Sequence, residues 1–110
     1  MLSLRLESNG YQVMVANDPR EGLRLIQEQP PDIVLLDLYM PFMDGAQVLG
    51  EIRKTQKELP VIIISADLEN ARTISAAALG VSGIFYKGKD FSVGLALLET
   101  ALRRHKQLRE

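Results

Sequence analysis

A chain of 110 residues fits one domain, since globular domains cluster at roughly 100–150 residues. Hydrophobic residues make up 46% and charged residues 25%, which excludes a disordered or collagen-like polymer. Thirteen Lys+Arg against fourteen Asp+Glu leave no basic field for direct nucleic-acid binding, zero cysteines exclude disulfide and thiol chemistry, and one histidine cannot build a multi-histidine metal site. Apolar runs such as Ile33-Val34-Leu35-Leu36 are too short to span a bilayer and no signal peptide opens the chain, so no membrane partner and a cytoplasmic location are expected.

In chain order, residues 1–8 read as a short helical fragment stopped by Asn9-Gly10. Residues 11–16 are rich in strand-formers and predict a strand. Asp18-Pro19-Arg20-Glu21 then offers a capping aspartate, a proline at the first helical position and a reciprocal glutamate, followed by Leu23, Leu25 and Ile26. Residues 32–38 and 60–66 predict strands that are continuously apolar in the middle, the mark of burial on both faces in a parallel sheet. Between them Asp44-Gly45-Ala46-Gln47 repeats the capping box ahead of Val48, Leu49 and Ile52. A helix over 68–79, small-faced at Ala76-Ala77-Ala78, ends at Gly80. A last strand over 83–87 leads to a helix from about residue 91 toward 108, with Gly94, Leu97, Leu98, Ala101, Leu102 and Leu108 on one stripe. Strands separated by helices imply right-handed crossovers and a doubly wound α/β sheet with helices on both faces. No repeat or linker divides residues 1–110, which are read as a single domain.

Ligand sites of such sheets lie beyond the carboxyl ends of the strands. There the sequence sets Asp37 after Ile33–Leu36, Ser65 and the small Ala66 after Val61–Ile64, and Lys87 after Ile84-Phe85-Tyr86. Taken singly, these are a cap, a turn residue and a solvated lysine. Together they suit phosphoryl acceptance. The carboxylate would attack phosphorus to form an acyl phosphate, the ammonium would neutralise one phosphoryl oxygen and the hydroxyl would bond another.

The stretch from Asp32 through Asp37, Met40-Pro41 and Met43-Asp44-Gly45 resembles the receiver domain of two-component response regulators. The likeness continues in Leu59–Ala66, Ala78–Gly83 and Lys87, and covers essentially the whole chain. It implies a flavodoxin-like fold and phosphorylation of Asp37 by a histidine kinase or histidine phosphotransfer protein. It further implies that Ser65 is the switch hydroxyl and that Tyr39 offers a backbone carbonyl to Mg²⁺. Tyr39 and Asp67 would tune dephosphorylation. Asp44 matches the motif but is read as a cap. An output domain or a homodimer through the helices over 68–79 and 91–108 is the expected partner arrangement.

Three departures qualify the resemblance. Receivers open on a central strand carrying paired acids for Mg²⁺, whereas residues 1–16 contain one acid, Glu7, in the helical fragment. The chain is therefore expected to be incomplete at its N-terminus, with the first strand missing and either direct closure or a persistent gap in its place. Mg²⁺ seeks octahedral oxygen ligands, usually with one or two carboxylates; Asp37 would supply one, leaving the rest to water and the Tyr39 carbonyl, so binding should be weakened and phosphate accepted poorly or not at all. Second, Gly88 stands where many receivers have proline, which excludes a cis X-Pro bond after Lys87. Third, Ile84 occupies the usual place of a switching aromatic, while Phe85 and Tyr86 should point to opposite faces.

Rival readings are narrower. Residues 83–90 nearly spell a phosphate-binding loop, but its middle is a buried strand and Asp90 replaces the required Ser/Thr. Arg103-Arg104-His105-Lys106 is either favourable charge at a helix end or, over 103–110, the start of a linker helix. The alternative function is a phosphorylation-independent interaction module. An aspartyl-phosphate hydrolase ranks last because no second acid is suitably placed.

Overall fold

The computed structural model describes residues 2–38, 44–67, 69 and 80–109, with side chains described to residue 104. The elements are α1 (Leu2–Ser8), α2 (Pro19–Glu28), β1 (Val34–Asp37), α3 (Gly45–Thr55), β2 (Val61–Ser65), β3 (Gly83–Tyr86) and α4 (Phe91–Arg109). The helix expected over 68–79 lies outside the described residues apart from Glu69.

The cap signals act as their sequences require. Asp18 accepts from Glu21 N at 2.9 Å to start α2, and Asp44 accepts from Gln47 N at 3.1 Å to start α3. The Glu21 carboxylate reaches back to Asn17 N at 3.5 Å, one residue earlier than a reciprocal capping box would place it. Helix α1 stops where Gly10 adopts φ +92°, a left-handed conformation that glycine enters without steric cost.

Strands β1, β2 and β3 form a parallel sheet in that order, with Val34 opposite Val61 and Ile62 opposite Gly83. Alternating side chains feed two cores. Val34, Leu36 and Val61 pack with Ile26, Val48, Leu49 and Ile52 of α2 and α3 on one face. Ile33, Leu35 and Ile62 pack with Leu6, Leu98 and Ala101 of α1 and α4 on the other. Strand β2, covered on both faces and paired on both edges, is buried along its whole length. This is the doubly wound sheet that the continuous apolar runs require.

The expectation of a strand at 11–16 fails. Those residues carry no strand assignment and pair with nothing in the sheet. The reason is mechanical, because strand-forming side chains cannot hold an extended backbone in a sheet without a hydrogen-bonding neighbour. Direct closure onto β1 does not occur either. A cavity of about 600 Å³, lined by residues of 11–16, β1, α1 and α2, lies between the segment and the sheet. Met14 and Val15 remain 45% and 59% exposed, so this edge of the molecule is only partly sealed.

Candidate functional site

Parallel register brings the three strand ends to one rim. Asp37 lies opposite Ile64, and Ser65 lies opposite Tyr86, so Asp37, Ser65 and Lys87 end adjacent strands within a residue of one another. The Lys87 ammonium stands 2.9 Å from Asp37 Oδ1 and 3.2 Å from Oδ2, fifty residues away in sequence. Main-chain bonds fix both partners' backbones. Leu38 N donates to Ile64 O and Lys87 N donates to Ser65 O, each at 3.0 Å. The pair is part-exposed, with side-chain accessibilities of 33% for Lys87 and 45% for Asp37, so a ligand can reach the carboxylate from solvent.

Ser65 is buried to 3% exposure, and its hydroxyl is occupied within its own loop. It donates to Asp67 O at 2.8 Å and accepts from Asp67 N at 2.9 Å. The serine is therefore at the predicted rim, but its hydroxyl closes a turn rather than bonding Asp37. Ala66 and Asp67 are exposed beside it. The expectations for Tyr39 fall on a residue outside those described. Asp44, as expected, caps α3. Residues 83–86 form β3 rather than an open loop, which disposes of the phosphate-loop look-alike.

Phe85 and Tyr86 diverge as strand alternation demands. Phe85 packs toward Gly94 of α4, where an added Cβ would lie 3.1 Å from the ring, while Tyr86 is 37% exposed at the rim. Arg53 was not anticipated. It is 7% exposed, and its guanidinium donates to Leu59 O at 2.8 Å, Gln56 O at 3.0 Å and Gly80 O at 3.0 Å. Burial lowers its pKa from the ordinary arginine value. It joins the end of α3 to the segments entering β2 and β3, at the end of the sheet away from Asp37.

A family model for the response regulator receiver domain matches residues 1–99. The chain belongs to that family. It is 36% identical over 104 residues to the transcriptional regulatory protein GlrR of Escherichia coli K12 and, to the same extent, to QseF of strain O157:H7. Those matches cover 94% of this chain and 23% of each relative, so the chain spans about a quarter of their length. The receiver domain of NtrX from Brucella abortus superposes with TM-score 0.82 at 26% identity, covering 93% of this chain and 87% of that one. A CheY-like receiver from Methanospirillum hungatei gives TM-score 0.84 at 25% identity over 96% and 85%.

Receiver domains are regulatory, act with histidine kinases and output domains, and generally use Mg²⁺. The described residues carry little that answers that last requirement. They contain no group of three acidic or histidine side chains that could hold a metal, and the Asp37 carboxylate is engaged by an ammonium. Among the described residues, then, a single carboxylate already facing a cation is all that this rim offers Mg²⁺, a poor match to its octahedral oxygen demand. No helix among the described residues is long and apolar enough to cross a membrane.

Proposed function

We propose that this chain is a phospho-acceptor receiver of a two-component phosphorelay, working in the cytoplasm and modified on Asp37 by a histidine kinase or histidine phosphotransfer protein. The observation that carries the reading is the contact of Lys87 with Asp37 at the carboxyl ends of parallel strands. An Asp37 oxygen attacks phosphorus as the bond to the donor imidazole nitrogen breaks, and the imidazole leaves with a proton. The product is an acyl phosphate. Lys87, already beside the nucleophile, neutralises a non-bridging phosphoryl oxygen as charge builds there. Ser65, with Ala66 small beside it, is assigned the switch role. Its hydroxyl must leave the Asp67 turn to reach the phosphoryl group, exchanging two bonds within the loop for one across the rim.

With a single carboxylate at the rim among the described residues, Mg²⁺ is held weakly and transfer is slow. Asp67, exposed beside Ser65, is assigned an influence on water access to the acyl phosphate. Contacts to an output domain or a second copy are assigned to α4. Incubation with phosphoramidate and Mg²⁺ followed by intact-mass measurement tests the reading. The expected result is a single, sub-stoichiometric phosphoryl adduct lost in Asp37→Ala and reduced in Lys87→Ala. An adduct that survives Asp37→Ala would refute the acceptor assignment.

A further inference from the structure

The turn that follows β3 has a feature that neither its hydrogen bonds nor its backbone angles explain. Lys89 N donates to Tyr86 O at 3.0 Å and closes residues 86–89 into a turn, with Lys87 and Gly88 at its centre. Glycines at positive φ among the described residues are Gly10 and Gly80, so Gly88 does not need to be glycine for its backbone conformation. What it needs is space. A Cβ at residue 88 would sit 2.7 Å from Tyr86 Cε1 and 3.3 Å from both Cδ1 and Cζ, because the Tyr86 ring lies directly over the turn. Carbon atoms pack at about 3.5–4.0 Å, so a methyl group and the ring cannot share that place.

We propose that Tyr86 is a positioning residue for Lys87: its ring, seated on Gly88, clamps the 86–89 turn so that the Lys87 ammonium is held at Asp37. Lys87 is a long side chain on a part-exposed turn, paired with Asp37 at its tip and bonded through its main chain to Ser65 O. Fixing the residues on either side narrows the directions in which it leaves the backbone. A group needed in a transition state works best when its position is set beforehand. The ring carbons make the contact, and the tyrosine hydroxyl is not required.

The consequence for phosphoryl transfer rests on Asp37 being the acceptor, whereas the geometry can be tested without it. Lysine acetylation by a small amine-acylating reagent, followed residue by residue by peptide mass spectrometry, reads the freedom of Lys87 against that of exposed Lys57. Tyr86→Ala and Gly88→Ala are each expected to raise Lys87 reactivity several-fold relative to Lys57, while Tyr86→Phe leaves it unchanged. Adding Gly88→Ala to Tyr86→Ala should have no further effect, since the methyl group then occupies vacated space, and that non-additivity marks a direct contact. In the same proteins the phosphorylation rate at saturating phosphoramidate should fall by about tenfold or more, with half-saturation unchanged. Circular dichroism and the melting midpoint confirm that each variant is folded. Unchanged Lys87 reactivity in both folded single variants overturns the proposal, as does additivity in the double variant. A rise in Lys87 reactivity with no Asp37 phosphorylation in any protein upholds the clamp and refutes the acceptor reading instead.

Discussion

Strand β2 and residues 11–16 are both short, apolar and rich in β-branched side chains, yet they end in opposite states. Val61–Ser65 has a strand on each edge and helices on each face, and all of its residues are buried. Residues 11–16 have a cavity of about 600 Å³ where a neighbouring strand would pair, and two of their large side chains are substantially exposed. Composition alone does not separate them. A strand is a property of a pair, and the rim that holds Asp37, Ser65 and Lys87 is built from strands that have partners.

This contrast predicts a graded response to substitution. Ile63→Ala, at a residue with 0% exposure in β2, should cost about 3–4 kcal/mol in urea unfolding, as full burial of a large aliphatic side chain requires. Val13→Ala beside the cavity should cost less than about 1 kcal/mol, because much of the space it helps to fill is already empty. Equal losses would break the comparison. Arg53→Met should cost about 2–3 kcal/mol, since it removes the donor shared by three carbonyls while conserving much of the apolar stem. A loss below about 0.5 kcal/mol would show that water replaces the guanidinium there.

Smaller effects sharpen the same picture. Asp18→Ala, which removes the α2 cap, should cost about 1 kcal/mol, and Arg24→Ala, at an exposed pair with Glu28, about 0.5 kcal/mol or less. Amide hydrogen exchange resolves the two regions without mutation. The β2 amides should exchange only through global unfolding, and those of residues 12–16 should exchange through local opening. Comparable protection in both would mean that the segment pairs in solution.

Much of this was legible in sequence because its causes are local. Asp18-Pro19 and Asp44-Gly45 dictate helix starts from their own chemistry, and unbroken runs such as Val61–Ile64 require cover on both faces. The rim was legible as well, since a strand's carboxyl end is known once its apolar run is known. Residues 11–16 misled because pairing is non-local. Arg53 carried a signal that went unread. It stands four residues after Leu49 and five after Val48, on the same buried stripe as Ile52, where a cation must find oxygen partners. The turn between the Ser65 hydroxyl and Asp67 had no such signal, since a strand-end serine can bond its own loop or reach across the rim. The overlay of Tyr86 on Gly88 depends on a rotamer that no sequence pattern reports.

The most direct examination of the Asp37–Lys87 rim is phosphorus-31 NMR of the chain treated with phosphoramidate, with Asp37→Ala and Lys87→Ala in parallel. The account predicts one acyl-phosphate resonance, discharged by hydroxylamine, weak in Lys87→Ala and missing from Asp37→Ala. A hydroxylamine-stable signal, or one of equal strength in all three proteins, would contradict it.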